Sequence, residues 1–281
     1  MPELPEVETV RRGLAPVLVG RTLSSVVIGR PDLRFPFPER FADRLTGLTV
    51  VSIDRRAKYL IWTMTGGVTL IVHLGMTGRF TVGGGRLGEY VHDTGLNPKH
   101  DHIRFELDDG GVVTYNDPRR FGFVDLLAEG MVGDYSGFRG MGPEPLSEDF
   151  SAAYLKAAFA RRRGPVKQAL LDQTVVAGLG NIYVAEALFR SRINPLRPAV
   201  AIGVRPLGRL VSCIKEVIGE AIAAGGSSIS DFASTDGAAG RFQMSFNVYG
   251  REGDGCSVCG QPILRIVQSG RSTFFCPRCQ R

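Results

Sequence analysis

The sequence predicts an α+β multidomain chain, and three observations lead to this class. A helical repeat of apolar residues opens the chain, short β-branched runs follow to about residue 127, and helical patterns return after residue 141. Four of the five cysteines then fall within the last 26 residues. With 281 residues and 43% hydrophobic content, the chain can form one large domain or two to three smaller ones with their own cores.

The first predicted element is a helix from Glu3 to Leu18. Its apolar positions recur every three to four residues, at Leu4, Val7, Val10, Leu14 and Val17. Pro5 is tolerated because it lies in the first turn, where an N–H group has no partner inside the helix.

Seven short runs rich in β-branched residues then predict strands between residues 22 and 127. They are TLSSVVI, LTVVSID, YLIWTMT, VTLIVHL, HIRFEL, VVTYND and FGFVDLL. The stretch DDGG at 108–111 predicts a hairpin turn between two of them. Strands at this spacing are typical of a sandwich or a barrel. The glycine-rich residues 81–98 predict an exposed loop within this region.

Four helices are predicted in the second half of the chain. Ser147 is the candidate N-cap of the first, which runs to about Arg162, and the second spans 166–173. The third begins near Asn181, and a long one runs from about residue 206 to 224, where two glycines close it. Small and polar residues at 225–240 predict a loop. The cysteine segment after it is too short to bury a core and is expected to depend on a metal for its fold.

The net charge of +6 is unevenly distributed along the chain. Residues 151–210 contain ten Lys and Arg against two Asp and Glu, and residues 237–281 contain six against two, so the remainder carries −6. Such segments favour a polyanion partner or form a solvated basic face, and charge alone does not decide between them. No run of eighteen apolar residues occurs, and the N-terminus lacks a signal-peptide pattern, so we expect a cytoplasmic protein that does not enter a membrane.

Four cysteines have the spacing C-x2-C-x16-C-x2-C, which predicts a tetrahedral zinc site. They are Cys256, Cys259, Cys276 and Cys279. Because the protein supplies all four ligands, one structural Zn²⁺ is predicted. Disulfides are the alternative, which a cytoplasmic setting disfavours. Cys213 lies in a helical pattern and is predicted to be a small core residue. Arg271 lies near the tip of a predicted hairpin between the cysteine pairs, where a guanidinium can hold a phosphate.

The opening residues MPELPEVE are a candidate reactive end of the chain. If Met1 is removed, Pro2 exposes a secondary α-amine beside Glu3 and Glu6. An α-amine has a pKa of about 7.7–8.0, against about 10.4 for lysine, so it becomes a neutral nucleophile at lower cost. Condensed with an aldehydic sugar carbon, a proline amine gives an iminium that has no N–H proton to lose and stays cationic. On these residues alone, an ordinary chain start is the better interpretation.

Two strand-end motifs and one turn contain further candidates. RRAKYL at 55–60 contains Lys58, and HLGMTG at 73–78 contains His73 and Met76. A lone Met or His is by default a core or surface residue. The turn NDPRRFG at 116–122 presents Arg119 and Phe121. An aromatic ring between guanidiniums is a candidate wedge between stacked bases.

A fourth motif, VAGLGNIYVAEALF at 176–189, contains a candidate anion site. Two glycines precede Asn181 at a helix start, where free N–H groups and the helix dipole attract an anion. Lys167 lies on the preceding helix. The alternative is that Asn181 is an ordinary N-cap.

Together these motifs resemble one family across the whole chain. MPELPEVE, RRAKYL, HLGMTG, KHDH, NDPRRFG, GPEPL, LLDQ, VAGLGNIYVAEALF, VYGREG and GRSTFFCPRCQ look like those of bacterial formamidopyrimidine-DNA glycosylases. The resemblance implies a bifunctional DNA glycosylase and AP lyase that removes 8-oxoguanine and formamidopyrimidines and nicks the strand by β,δ-elimination. It also implies a two-layer β-sandwich at 1–130, a helix-two-turn-helix domain with a lesion-capping loop at 131–236, and a β-hairpin zinc finger at 237–281.

The same resemblance implies roles for single residues. Pro2 resembles the nucleophile that attacks the sugar C1′, and Glu3 the acid/base that protonates the opening sugar. Lys58 matches the lysine of β-elimination, and Arg271 the arginine of δ-elimination. The expected DNA contacts are His73, Met76, His100, Arg119, Phe121, Arg162 and Asn181, with Lys167 added from the anion site. Met76, Arg119 and Phe121 correspond to the side chains that fill the gap left by the expelled nucleotide. The implied partner is double-stranded DNA with oxidised bases or abasic sites, bound by a monomer.

The chain departs from this family at Ser230 and in the length of its glycine-rich loop at 83–98, and three alternatives remain. Ser230 stands where the family commonly has Lys or Arg in the loop over the extruded base, which bears on lesion recognition and not on the chemistry. The sister enzyme endonuclease VIII excises oxidised pyrimidines, and Leu4 in place of its usual glycine disfavours it. A non-catalytic zinc-dependent DNA-binding protein would need neither Pro2 nor Glu3. A metal hydrolase is disfavoured because the alternating residues of HDH at 100–102 more often simply face one side of a strand.

Overall fold

The computed structural model describes residues 2–83, 97–227 and 242–281. These residues form two compact units. The first runs to Arg139 and also takes up the residues from Gly225, and the second contains Gly140–Ala224 and resumes at Phe242. The three-part division at 130 and 236 stays a prediction.

The first unit contains two four-stranded antiparallel sheets. Its elements are α1 (Leu4–Leu18), β1 (Leu23–Ile28), α2 (Phe41–Leu45), β2 (Val50–Arg56), β3 (Tyr59–Met64), β4 (Val68–His73), β5 (Arg79–Gly83), β6 (Asp101–Leu107), β7 (Val112–Asn116) and β8 (Phe123–Ala128). One sheet has the strand order β1-β6-β7-β5 and the other β2-β3-β4-β8. Each of the seven predicted runs lies on a strand, and the hairpin at 108–111 connects β6 to β7.

The two sheets face each other across one apolar core, which makes this unit a β-sandwich. Trp62 on β3 is fully buried and packs against Phe80 and Phe105 of the opposite sheet, with ring centroids 5.6 and 5.3 Å apart. The apolar stripe of α1 joins the same core through Val7, Val10, Leu14 and Leu18. The apolar residues at helical spacing in α1 and the alternating apolar residues of the strands therefore pack into the same core. The packing holds the first turn of α1 in a fixed place.

The second unit is helical and ends in a two-stranded hairpin. Its elements are α3 (Ala152–Phe159), α4 (Val166–Leu171), α5 (Asn181–Arg190), α6 (Val204–Ala223), β9 (Leu264–Gln268) and β10 (Arg271–Phe275). The apolar stripe of α6 packs against α3 and α5. The hairpin segment packs on α5, where Ala185 and Phe189 meet Val248, Ile263 and two of the cysteines. The predicted fold class is confirmed.

A buried carboxylate fixes the entry to the hairpin segment. Glu186 on α5 has no solvent exposure, and its two oxygens accept hydrogen bonds from the backbone N–H groups of Asn247, Val248 and Tyr249 at 2.9–3.0 Å. The Asn247 side-chain amide donates a fourth bond at 3.0 Å. The four hydrogen bonds compensate the desolvation of this buried group, and they fix the junction between α5 and the hairpin segment.

Three details of the sequence analysis are wrong. The loop predicted at 81–98 is strand β5 as far as Gly83, because the alternation of Phe80 and Val82 continues until the glycines begin. The helix predicted from Ser147 begins at Ala152, and Ser151 is its N-cap, accepting the N–H of Tyr154 at 3.2 Å. Helix α2 was not expected. Residues 84–96 and 228–241, with Ser230, lie outside the described residues.

No helix within the described ranges is long and apolar enough to cross a membrane.

Candidate active site

The first turn of α1 fixes Pro2 and Glu3. Both residues are buried, and Glu3 is only 4% exposed. The carboxylate of Glu6 accepts the backbone N–H of Glu3 at 2.9 Å through one oxygen. Its other oxygen accepts the N–H and hydroxyl of Ser227 at 2.8 and 2.9 Å. Glu6 is thus satisfied on both oxygens, and it ties the start of α1 to the residue before segment 228–241.

Lys58 lies in the tight turn between β2 and β3. The turn requires a left-handed conformation at Ala57, whose φ is 52°, and Lys58 is only 8% exposed. Arg55 donates to the carbonyl of Ala57 at 2.9 Å and pairs with Glu8 at 3.2 Å. Glu8 belongs to α1, so one carboxylate links the helix that begins after Pro2 to the turn that presents Lys58.

Glu8 is held as a carboxylate by the cations around it. Burial alone would raise its pKa, but hydrogen bonds from Arg11 and Arg12, with the charges of Arg11 and Arg55, lower the pKa to about 2. Arg11 also donates to the carbonyl of Ile53 at 3.2 Å. This ion-pair network therefore persists throughout the physiological pH range.

His73 ends β4 as a neutral imidazole. Its ring stacks on Phe123 with centroids 5.1 Å apart and an interplanar angle of 12°, and it lies 4.8 Å from the ring of Tyr59. Burial, then the charges of Lys58 and Arg34, lowers its pKa to about 4. The Nδ1 atom accepts the N–H of Gly75 at 3.1 Å, so the ring proton is on Nε2. His73 can therefore donate one hydrogen bond to an acceptor such as a phosphate oxygen.

Two neighbouring loops, 74–78 and 117–122, carry the three residues expected to fill a gap in DNA. Met76 is half-buried, whereas Arg119 and Phe121 are exposed. The Arg119 guanidinium lies 4.7 Å from the centre of the Phe121 ring, a cation–π contact. His100 is half-buried beside them, and its carbonyl accepts the N–H of Asp117 at 3.0 Å.

In the second unit, the predicted contacts gather around the hairpin and α4. Lys167 is 1% exposed, and its ammonium donates to the carbonyl of Ser272 at 2.8 Å and to Thr273 Oγ1 at 2.6 Å. The amide of Asn181 donates to the same Ser272 carbonyl at 3.0 Å. Arg271 is exposed at the start of β10. The N-cap of α5 is Gly180, so the alternative in which Asn181 is the N-cap is wrong.

Arg162 lies apart from the hairpin contacts. It is half-buried, and its guanidinium donates to Asp172 at 2.7 Å and to Thr174 at 3.3 Å. These bonds fix the side chain beside the exposed residues Arg161 and Arg163.

The four predicted cysteines form one cluster. All four Sγ atoms lie within 4.8 Å of one another, with Cys256 and Cys279 3.9 Å apart and Cys259 and Cys276 3.5 Å apart. A zinc ion about 2.3 Å from each sulfur of a tetrahedron needs sulfur–sulfur distances of about 3.8 Å. The cluster therefore fits one structural zinc ion, and it leaves no ligand position open for catalysis. Cys213 is half-buried on α6 and is not part of it.

Sequence analysis missed three buried carboxylates: Glu8, Asp117 and Glu186. Each is at most 8% exposed, and each accepts several hydrogen bonds. The sequence gives little indication of their burial, because an acidic residue between apolar positions is normally predicted to face solvent. The three arginines near Glu8 were visible, but only the fold shows that Arg55 reaches it.

The β-sandwich with its buried Pro2 and Glu3, the basic helical unit and the four-cysteine hairpin are together typical of a zinc-finger DNA-binding protein. Family models agree with this class. Residues 1–124 match the "Formamidopyrimidine-DNA glycosylase N-terminal domain", 141–233 the "Formamidopyrimidine-DNA glycosylase H2TH domain", and 253–281 the "Zinc finger found in FPG and IleRS".

Relatives and solved structures cover all or nearly all of the chain. A formamidopyrimidine-DNA glycosylase of Ruegeria pomeroyi is 53% identical and one of Caulobacter sp. (strain K31) 56% identical, each over 100% of both chains. The MutM (FPG) protein of Thermus thermophilus superposes with a TM-score of 0.86 at 40% identity, covering 99% of this chain and 98% of that one. A Lactococcus lactis FPG mutant in complex with Fapy-dG DNA gives 0.88 at 37% identity, covering all of both chains.

The chain belongs to the formamidopyrimidine-DNA glycosylase family, as its motifs predicted. It is a DNA-repair glycosylase with a structural zinc finger. The roles of its single residues remain predictions.

Proposed function

We propose that this chain is a bifunctional DNA glycosylase and AP lyase that removes oxidised purines from double-stranded DNA. The observation that carries the proposal is the joint fixation of a candidate nucleophile, Pro2, and a candidate general base, Lys58, on one framework. Glu6 holds the turn that contains Pro2 and Glu3, and Glu8 with Arg55 holds the turn that presents Lys58. Catalysis by proximity needs such groups held in a fixed geometry before substrate arrives.

The chemistry begins at Pro2 in the form that lacks Met1. Its neutral amine attacks C1′, the glycosidic bond breaks, and the damaged base leaves with the bonding electrons. Glu3 takes the proton that the Pro2 nitrogen loses after the attack and donates it to the ring oxygen as the C1′–O4′ bond breaks, and an iminium forms between Pro2 and C1′. This iminium has no N–H proton to lose, so it remains an electron sink at any pH.

Strand cleavage follows from the same adduct. Lys58 takes a proton from C2′, the electrons move toward the iminium, and the 3′ phosphate leaves in β-elimination. Arg271 supports the loss of the second phosphate in δ-elimination, because a guanidinium stabilises the departing charge.

The proposed DNA contacts are consistent with relatives that bind damaged DNA. Lactococcus lactis Fpg has been crystallised with DNA that contains Fapy-dG and with DNA that contains an abasic site. For this chain we propose phosphate contacts by His73, His100, Arg162 and Asn181, and gap filling by Met76, Arg119 and Phe121. Lys167 supports the same surface through the hairpin. Flipping a nucleotide out of a duplex costs a few kcal/mol, and inserted side chains offset part of that cost.

Borohydride trapping tests this proposal. The natural protein is incubated with a duplex that contains 8-oxoguanine or thymine glycol, reduced, and digested so that the cross-linked peptide can be mapped. We expect an adduct on residue 2 with the 8-oxoguanine duplex. Retained Met1 or Glu3→Gln should abolish it, while Glu129→Gln, an exposed carboxylate variant, should not.

Three results would contradict the assignment. An adduct on a lysine would overturn the role of Pro2. A strong preference for thymine glycol would favour the pyrimidine enzyme. Tight binding without any adduct would favour the non-catalytic zinc-dependent DNA-binding protein.

A further inference from the structure

Asp117 is a fully buried carboxylate that the proposed chemistry does not use. It follows β7 directly, has 0% exposure, and begins the loop that carries Arg119 and Phe121. A buried acid is costly unless its oxygens accept hydrogen bonds, so its partners show what it holds.

The partners of Asp117 come from both loops. Its Oδ1 accepts the hydroxyl of Thr77 at 2.5 Å and the N–H of Arg119 at 3.3 Å, and its Oδ2 accepts the N–H of Gly122 at 2.8 Å. The hydroxyl of Tyr115 donates to Oδ2 at 3.4 Å. Thr77 Oγ1 in turn accepts the N–H of Arg119 at 3.2 Å. One carboxylate and one hydroxyl therefore join loop 74–78 to loop 117–122.

The loop backbones also touch where no side chain fits. A Cβ on Gly75 would overlap the backbone at Phe121 and Gly122, and φ at Gly75 is +62°, which favours glycine. A Cβ on Gly122 would overlap the Tyr115 hydroxyl and lie 3.1 Å from Asp117 Oδ2. The two loops are thus locked against each other as well as hydrogen-bonded.

We propose that Asp117, acting with Thr77, is a positioning residue that holds Met76, Arg119 and Phe121 as one rigid wedge. The inference rests on the proposed function, in which these three side chains enter the gap in the duplex. A wedge ordered before binding does not lose loop entropy during insertion, so more of the contact energy is available to keep the nucleotide out of the stack. Asp117 itself needs no contact with DNA.

The test separates steps that need a wedge from steps that do not. Excision of 8-oxoguanine from a duplex requires gap filling, whereas cleavage at an abasic site in single-stranded DNA has no opposite strand and no gap. The variants are Thr77→Val, which replaces the hydroxyl by a methyl group, and Asp117→Asn, whose amide nitrogen cannot accept a hydrogen bond where a carboxylate oxygen does. Thr77→Ser keeps the hydroxyl, and Asp108→Asn is a matched control, an exposed acid just after β6 of the same sheet.

We expect Thr77→Val and Asp117→Asn to lower the single-turnover rate on the 8-oxoguanine duplex at least tenfold. Cleavage of the single-stranded abasic substrate should stay within twofold of the natural protein, as should the Kd for undamaged duplex. Thr77→Ser and Asp108→Asn should match the natural protein on all substrates. With 2-aminopurine placed opposite a tetrahydrofuran site, the two disruptive variants should give a smaller fluorescence change on binding.

Two outcomes overturn the inference. One is an unchanged duplex rate in Thr77→Val, and the other is an equal loss on both substrates, which would indicate a general structural role. If Asp117→Asn does not fold, Thr77→Val decides alone. If the natural protein itself fails to excise 8-oxoguanine, the proposed function is wrong. If the natural protein is active and the variants are equally active, only the role of Asp117 and Thr77 is wrong.

Discussion

At the scale of single residues, the protonation state of His73 depends on its neighbours. Burial and the nearby charges of Lys58 and Arg34 favour the neutral ring, so the folded pKa of about 4 lies below the value of about 6.5 for an exposed histidine. Neutrality lets Nδ1 accept the Gly75 N–H. A positively charged His73 would lose that bond and repel Lys58, so the proposed phosphate donor is the neutral ring.

This shift predicts a dependence of stability on pH. Between pH 6.5 and 4 the unfolded chain binds a proton at this position and the folded chain does not. The contribution of His73 to the free energy of unfolding is therefore complete above pH 6.5 and falls by about 1.4 kcal/mol per pH unit between pH 6.5 and about 4. Urea unfolding at a series of pH values gives the free energy of unfolding of the natural protein and of His73→Asn. The slopes of these free energies against pH should differ by that amount between pH 6.5 and 4. Equal slopes, or an NMR titration midpoint near 6.5 for His73, would contradict it.

Candidate site residues could be picked from the sequence where the chemistry is local, and not where it is distant; the four cysteine ligands are confirmed, and the roles of the others stay predictions. The residues of these patterns lie close together in the chain: the paired cysteines, Lys58 near two arginines, and Arg119 near Phe121. Glu6 meets Ser227, which is 221 positions away, and Asp117 meets Thr77, which is 40 away. Because such pairs form only after the chain folds, no local pattern indicated that these acids are buried.

At the scale of elements, the hairpin β9–β10 is held by a network that starts on helix α4. Lys167 contacts Ser272 and Thr273, and the Thr273 hydroxyl donates to Gln268 at 2.8 Å. Gln168 donates to Ser269 at 2.7 Å. Arg271 lies inside this short segment, so the network fixes the backbone that carries it.

The network predicts an effect on product distribution. Lys167→Met keeps the length of the side chain but removes two charge-assisted hydrogen bonds, each worth about 1.5–3 kcal/mol. We expect the β,δ-elimination product to fall at least fivefold relative to the β-elimination product, because Arg271 loses its fixed position. Denaturing gels of a cleaved abasic duplex measure this ratio. Lys156→Met, on α3 of the same unit, should leave it unchanged; an unchanged ratio in Lys167→Met would show that Lys167 does not position Arg271.

The zinc hairpin predicts a second effect at this scale. The segment buries too few apolar side chains to fold alone, so its order depends on the metal. We expect about one zinc per chain by atomic absorption, and Cys259→Ser should lose the metal together with duplex affinity. Cys213→Ser, outside the cluster, should keep both. Full duplex affinity in metal-free protein would contradict the structural role of zinc.

Element boundaries were less predictable than element types. All seven strand runs were found, but β5 was hidden because glycines end it after Gly83. The cap of α3 was misplaced because Ser147 and Ser151 have the same intrinsic preference for an N-cap. In the structure the Ser151 hydroxyl makes the capping hydrogen bond, to the N–H of Tyr154.

At the scale of the whole molecule, the excess positive charge lies in two segments that belong, except for residues 237–241, to the second unit. Residues 151–210 and 237–281 carry +8 and +4, against −6 in the rest of the chain. Tertiary structure leaves many of these cations exposed, among them Arg161, Arg163 and Arg271. Charge alone left a polyanion partner and a solvated face equally open, and membership of a DNA glycosylase family favours the polyanion.

This distribution predicts how duplex affinity depends on salt. Each phosphate neutralised by a cation releases condensed counterions and contributes about −0.9 to the slope of log K against log salt concentration. With several of the twelve excess positive charges of the two basic segments engaged, we expect a slope of about −4 to −6 for undamaged duplex. Arg162→Gln should make the slope shallower by about 0.9. Arg44→Gln removes an exposed cation from α2 of the acidic part and should leave the slope unchanged. Fluorescence anisotropy between 50 and 200 mM salt measures the slopes of the natural protein and of the two variants. A slope near zero would show that the basic segments contact no phosphates and form only a solvated face.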